Sequence, residues 1–146
     1  MIIVESGLSR LTHWMDLYDC GTITAFRGEY TKAENLKRNK SLQAKLLSKN
    51  YNITVVKGAY IENMGTPKEK EVKEDTFFVV DAKERGTLKE DLKKFGEEFD
   101  QDSVLFIPKG GQTSLLIGTS KMKIIGQLMV KKKKCKLEKW VKVVSL

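Results

Sequence analysis

Two asparagines one helical turn apart are the residues whose type and spacing most suggest a polar site. Asn35 and Asn39 flank Arg38 in a segment whose leucines recur at helical spacing. An Asn that faces a core needs hydrogen-bond partners for its amide. With Thr24 and Arg27 of the preceding strand and Glu62 of the following one, these side chains could line one polar site. Alternatively, Asn39 caps a neighbouring loop and the arginines are solvated.

Three carboxylates are candidates for proton transfer, with arginines available to bind phosphate. Their spacing matches no catalytic set, so we assign no catalytic residue; the acids are Glu62, Glu74 and Asp102. His13 is the only histidine, and on an amphipathic helix such a residue is more often at the surface than catalytic. Cys20 and Cys135 have no CxxC or His neighbour, so we predict no metal site and no cofactor.

The excess positive charge lies at the end of the sequence. Residues 121–146 hold nine lysines and one acid, a net +8 that equals the charge of the whole chain. Such a segment would bind RNA or DNA phosphates with release of counterions, and an aromatic side chain would stack on bases. The candidates for these contacts are Lys131, Lys132, Lys133, Lys134, Lys136, Lys139, Arg27, Arg38 and Trp140. A solubilising loop is the alternative interpretation of the lysine run.

The elements that position these residues follow a β-α-β-β-α-β order. A strand at residues 22–26 precedes a helix that begins with the capping-box spacing of Thr31 and Glu34. Strands follow at residues 53–61, with a bulge or close approach at Gly58, and at 76–81 after a charged loop at 68–74. A second helix, capped by Thr87, precedes strands at 104–107 and 114–117. This order predicts an α+β, ferredoxin-like sandwich with an N-terminal helix and extra C-terminal strands.

An ordered series of short motifs resembles an uncharacterised domain family of bacteria and phages. The series covers roughly residues 22–107 and includes TAF-R from Thr24 and EN-x-x-R-N-x-x-L from Glu34. It continues with G-x-Y-x-E from Gly58, E-D-x-F-F-V from Glu74 and F-x-Q-D-x-V-L-F from Phe99. The resemblance implies a fold more than a function.

Length and composition predict one domain over residues 1–146, with a basic segment at 121–146. The 40% apolar and 32% charged content is ordinary for a globular protein. No apolar run is long enough to span a bilayer and no signal peptide precedes the first helix, so we expect a cytoplasmic protein without a membrane partner. The oligomeric state has no signature in the sequence.

The charge pattern makes nucleic-acid binding the leading prediction: a small basic accessory protein that contacts RNA or DNA mainly through phosphates. The alternative is a phage- or mobile-element-type protein that binds and modulates a host protein. A third hypothesis is an enzyme that processes a nucleotide or nucleic acid with the carboxylates and arginines named above. Because no catalytic set is recognisable, the sequence favours a protein that is not an enzyme.

Overall fold

The computed structural model describes residues 5–62, 66–119 and 126–129. These described residues form three helices and six strands. Their bounds are α1 Glu5–Leu17, β1 Cys20–Ile23, α2 Lys32–Ser48, β2 Asn52–Glu62, β3 Lys70–Val80, α3 Leu88–Glu98, β4 Ser103–Ile107, β5 Thr113–Gly118 and β6 Gly126–Met129.

The strands form one sheet in the order β2-β3-β1-β4-β5-β6, and every neighbouring pair is antiparallel. β1 is central because Cys20 pairs with Val80 of β3 on one side and with Ile107 of β4 on the other. The segment from β1 to β4 has the β-α-β-β-α-β order predicted from the sequence. The α+β, ferredoxin-like fold with an N-terminal helix is therefore confirmed.

The sheet is covered on both faces. On one face, α2 and α3 pack through buried Leu42, Leu46, Leu92 and Phe95 onto strand residues that include Phe77. On the other face, Leu11 and Met15 of α1 pack onto Cys20, Phe78, Val80, Leu105 and Ile107. Because successive strand residues point to opposite faces, these two clusters alternate along β3.

β3 begins earlier than predicted, at Lys70, so most of the charged loop expected at 68–74 is strand. The β2–β3 ladder runs without interruption from Asn52↔Val80 to Glu62↔Lys70, and Gly58 pairs with Glu74 without a bulge. Cross-strand pairing thus overrides the low strand propensity of the charged residues. The sequence also predicts an edge strand at residues 1–4 and a closing strand at 135–146, and both stretches lie outside the described residues.

Thr31 caps α2 as predicted: its hydroxyl accepts from the Glu34 N–H, and the Glu34 carboxylate accepts from the Thr31 N–H at 2.7 Å. The second capping box, expected at Thr87, does not form. The Thr87 hydroxyl instead contacts the Tyr51 hydroxyl at 3.2 Å, and Tyr51 donates to the Asp91 carboxylate at 2.5 Å. A tertiary hydrogen bond has taken the place of the local one.

No helix in the part of the chain that the structure describes combines the length and apolar character needed to cross a membrane.

Candidate functional site beside the end of strand β1

The two asparagines of the predicted polar site lie on the buried face of α2, 7% and 5% exposed. Asn39 accepts from the Ala25 N–H through Oδ1 at 2.8 Å and donates from Nδ2 to the Asp75 carbonyl at 2.9 Å. Asn35 accepts from the Arg27 N–H at 2.9 Å and donates to the Arg27 carbonyl at 3.0 Å. Both amides therefore hold the loop between β1 and α2, which matches the alternative interpretation of Asn39.

The arginines fasten the same loop to the end of α3. Arg38 donates to the Ala25 carbonyl at 2.8 Å and to the Phe99 carbonyl at 2.6 Å, and its guanidinium lies 4.5 Å from the centre of the Tyr30 ring. Arg27 donates to the Asp100 carbonyl and to the Glu29 carboxylate, and the hydrogen bond to Glu29 raises the pKa of Arg27.

Thr24 completes this set, since its hydroxyl donates to the Asp75 carbonyl at 2.8 Å. The structure therefore brings together Thr24, Arg27, Asn35, Arg38 and Asn39, as the sequence suggested. Their described hydrogen bonds go mainly to the backbone, so the arrangement fixes the path of residues 24–30 against β3 and α3. Of these five residues, only Thr24 and Asn39 have described hydrogen bonds to β3, at the Asp75 carbonyl next to Glu74.

Glu74 lies on the α1 side of the sheet, in line with Thr76 and Phe78 along β3. Its carboxylate is half-buried, and Thr76 beside it is 3% exposed. Burial raises the pKa of Glu74 to about 7, the Thr76 hydroxyl lowers it by donating to the carboxylate, and the Asp75 charge raises it. A carboxylate with this pKa is a group that often marks a functional site.

Thr22 of β1 lies on the same side of the sheet and pairs with Phe78. It is 1% exposed, and no atom of the described residues is a hydrogen-bond partner of its Oγ1. A buried hydroxyl without a partner costs free energy, so its presence calls for an explanation. Together with Glu74 and Thr76, it gives this side of the β1–β3 pair a polar surface next to the apolar cluster beneath α1.

The other predicted residues lie elsewhere. Glu62 pairs with Lys70 at the far end of the β2–β3 ladder, and Asp102 is exposed between α3 and β4. His13 is exposed on α1, with its ring 6.1 Å from that of Trp14. The predicted nucleic-acid contacts at Lys131, Lys132, Lys133, Lys134, Lys136, Lys139 and Trp140 lie outside the described residues.

Sequence analysis did not single out Thr22 or Thr76. The signal was the period-2 alternation of β3, which places Glu74 and Thr76 on the face of Phe78 once the strand is known to begin at Lys70. The expectation of a loop over residues 68–74 hid this alternation.

These features define the class of protein as a small ferredoxin-like domain with a half-buried acidic group beside its central strand. The sequence profile of the S-adenosylmethionine lyase family matches residues 21–143. The chain belongs to this family, and the matched region contains Thr22, Glu74 and Thr76. Among proteins with curated descriptions, none matches the sequence.

Family membership overturns the leading prediction from the sequence. The nucleic-acid-binding and RNA-binding functions are wrong, because the family is named for action on S-adenosylmethionine, a small molecule. A concentration of lysines attracts polyanions in general, and it does not identify the ligand that a folded site recognises. The alternative of a phage- or mobile-element-type protein is compatible with this family.

Proposed function

We propose that the protein is an enzyme that cleaves S-adenosylmethionine without water and without a redox partner. The observation that carries the proposal is the match of the S-adenosylmethionine lyase family to residues 21–143. A lyase breaks a bond by a route that is neither hydrolytic nor oxidative. The described residues contribute one side-chain group suited to a cationic substrate on the α1 side of the β1–β3 pair, the half-buried carboxylate of Glu74.

The chemistry of the substrate supports a simple route. S-adenosylmethionine carries a sulfonium, so a carbon–sulfur bond can break with both electrons going to sulfur, which leaves a neutral thioether. In the proposed step, an oxygen of the substrate's own carboxylate forms a bond to Cγ as the Cγ–S bond breaks. The products are methylthioadenosine and a four-carbon lactone, and no proton is transferred. Because two opposite charges disappear in this step, a site that excludes water favours it.

In this proposal, Glu74 binds the α-ammonium of the substrate. A carboxylate that bound the sulfonium instead would stabilise a charge that the reaction removes. It would therefore raise the activation free energy of the step. The ammonium keeps its charge throughout, so an ion pair with Glu74 contributes equally before and during the reaction. The unpartnered Thr22 hydroxyl is available to hydrogen-bond a polar group of the same substrate.

The first experiment is to incubate the purified protein with S-adenosylmethionine in water enriched in oxygen-18 and to identify the products by mass spectrometry. We expect methylthioadenosine and a four-carbon product whose γ-oxygen carries no label. Label on the γ-oxygen would show hydrolysis, and absence of any methylthioadenosine would remove the proposal.

The role of Glu74 is tested by Glu74→Gln, with Glu97→Gln on the exposed face of α3 as the control. Loss of a charged hydrogen bond raises KM by about 10- to 100-fold and leaves kcat nearly unchanged. For the unchanged protein, kcat/KM rises as the pH increases from 5.5 through about 7, since Glu74 must ionise to pair with the ammonium. An unaltered pH profile in Glu74→Gln would exclude this role.

We further propose that the motif series at residues 22–107 belongs to the same family, since the matched region encloses it. We also propose a cytoplasmic location, which is supported by the free, buried thiol of Cys20.

A further inference from the structure

The β1–β3 ladder is completed by a side chain at the point where β1 ends. Regular pairing stops at Ile23↔Phe77. Beyond it, the Ala25 N–H donates to Oδ1 of Asn39 at 2.8 Å, and Nδ2 of Asn39 donates to the Asp75 carbonyl at 2.9 Å. The carboxamide of Asn39 has one acceptor and one donor group, and it therefore bridges the two strands where a backbone hydrogen bond would otherwise lie.

Asp75 is held from three directions. Its carbonyl accepts from Asn39 and also from the Thr24 hydroxyl at 2.8 Å. Its carboxylate forms an ion pair with Lys57 at 2.5 Å. The two donors to the carbonyl come from side chains that are only 5% exposed each, so these hydrogen bonds are shielded from competing water.

Glu74 directly precedes Asp75 in β3, so the backbone atoms that direct the Glu74 side chain are fixed by the same contacts. We infer that Asn39, assisted by Thr24, is a positioning residue that aims the Glu74 carboxylate at the substrate by holding the Asp75 carbonyl. The substrate in this inference rests on the proposed function, whereas the geometric link between Asn39 and Glu74 does not.

Asn35 provides a matched control. It lies one turn before Asn39 on the same face of α2 and is equally buried. Its described hydrogen bonds go to Arg27 and to the Tyr30 carbonyl, none of them to β3. Asn35→Ala therefore removes hydrogen bonds of the same kind from the same helix and leaves Asp75 and Glu74 untouched.

The first readout needs no substrate. The side-chain carboxyl carbon of Glu74 is titrated by NMR in the unchanged protein, in Asn39→Ala and in Asn35→Ala. Among the described residues, the groups that act on the Glu74 carboxylate are the Thr76 hydroxyl on the same face and, from the opposite face of β3, the charge of Asp75, which is paired with Lys57. In Asn39→Ala we expect the midpoint to fall by about one pH unit, because a freed β3 admits water to the carboxylate. Asn35→Ala should not move it.

Kinetics supply the second readout. Asn39→Ala is expected to raise KM by about tenfold with little change in kcat, and Asn35→Ala to change neither. In the Glu74→Gln background, Asn39→Ala should have no further effect on KM, since the group that it positions is gone. Additive effects of the two substitutions, or an identical titration of Glu74 in all three proteins, would overturn the inference.

A second pair of variants serves if Asn39→Ala does not fold. Thr24→Val removes one donor to the Asp75 carbonyl, whereas Thr24→Ser keeps a hydroxyl that can donate to it. We expect Thr24→Val to lower the titration midpoint of Glu74 and Thr24→Ser to leave it at the value of the unchanged protein. Equal midpoints in the two variants would contradict the inference. If no protein cleaves S-adenosylmethionine but the titrations differ as expected, the proposed function fails while the positioning role stands.

Discussion

Thr22 has a buried hydroxyl whose proposed role is to bind substrate and not to stabilise the fold. Its backbone is paired with β3 and β4, and its Oγ1 is buried without a partner among the described residues. Nothing in the folded chain as described gains from this hydroxyl, so the group lowers the stability of the protein. Its position on the face that carries Glu74 is the reason for proposing that it contacts the substrate.

We therefore predict that Thr22→Val stabilises the protein and weakens substrate binding. Valine has nearly the shape of threonine and lacks the buried hydroxyl, so the free energy of unfolding should rise by about 1 kcal/mol. The measurements are urea denaturation and KM for S-adenosylmethionine. The control is Thr54→Val on β2, where the side chain is exposed and neither quantity should change by much. A destabilised Thr22→Val protein would mean that the hydroxyl has a structural partner.

At the scale of elements, β1 is the shortest described strand of the ferredoxin-like core, and it leaves no room for a side chain at Gly21. Gly21 lies between α3 and the backbone of β4: a Cβ at this position would be 2.7 Å from the Leu105 carbonyl oxygen and would collide with the Leu92 side chain. The absence of a side chain at residue 21 is what lets α3 lie directly on the central strand.

Gly21→Ala should therefore destabilise the protein by about 1–3 kcal/mol, because either α3 or β4 must shift. The comparison is Gly86→Ala, where no atom lies within 4 Å of the added Cβ and only the positive φ of +74° opposes the change. We expect a smaller loss there, of about 1 kcal/mol. Urea denaturation measures both, and equal losses would show that packing at Gly21 is not limiting.

The elements that the sequence predicted well are those whose signals are local. The capping box of Thr31 depends on neighbouring residues and was found as predicted. Of the α2 leucines, Leu42 and Leu46 are buried, whereas Leu36 and Leu47 are exposed. The charged first half of β3 was assigned to a loop, because its strand structure depends on pairing with β2 rather than on its own residues. Thr87 failed as a cap for a related reason, since the Tyr51 hydroxyl that its own hydroxyl contacts comes from the connection between α2 and β2.

The candidate site was predictable only in part. The polar face of Asn35, Arg38 and Asn39 was recognisable from spacing, but its backbone partners depend on the path of residues 24–30. Glu74 stood out in the sequence only as one acid among several. Its raised pKa comes from burial on a sheet face, and burial on that face follows from the register of β3.

At the scale of the whole molecule, the sheet depends on α1 to cover one face. Met15 is 1% exposed and packs among residues of β1, β3 and β4. The Gly110 N–H also donates to the Met15 carbonyl at 3.0 Å, which ties α1 to the turn after β4. The helix lies before residue 21, where the family match begins, so this cover is contributed by a part of the chain outside the matched region.

Met15→Ala is expected to reduce the free energy of unfolding by about 2–5 kcal/mol, the range for truncating a fully buried side chain. Leu17→Ala is the control, since Leu17 of the same helix is 40% exposed and should cost far less. Thermal and urea denaturation give both values. Similar decreases in the free energy of unfolding for the two variants would indicate that Met15 does not pack α1 against the sheet.

The central position of β1 has a consequence for the order in which the protein is assembled. β2 and β3 are consecutive in the chain and pair along their whole length, so they can form a hairpin soon after both are synthesised. β1 is synthesised before them. Its Cys20, however, pairs with Val80 and Ile107, which come far later in the sequence. The strand that organises the site therefore has neither of its partners until β3 has been synthesised, and its second edge can pair only after β4 follows.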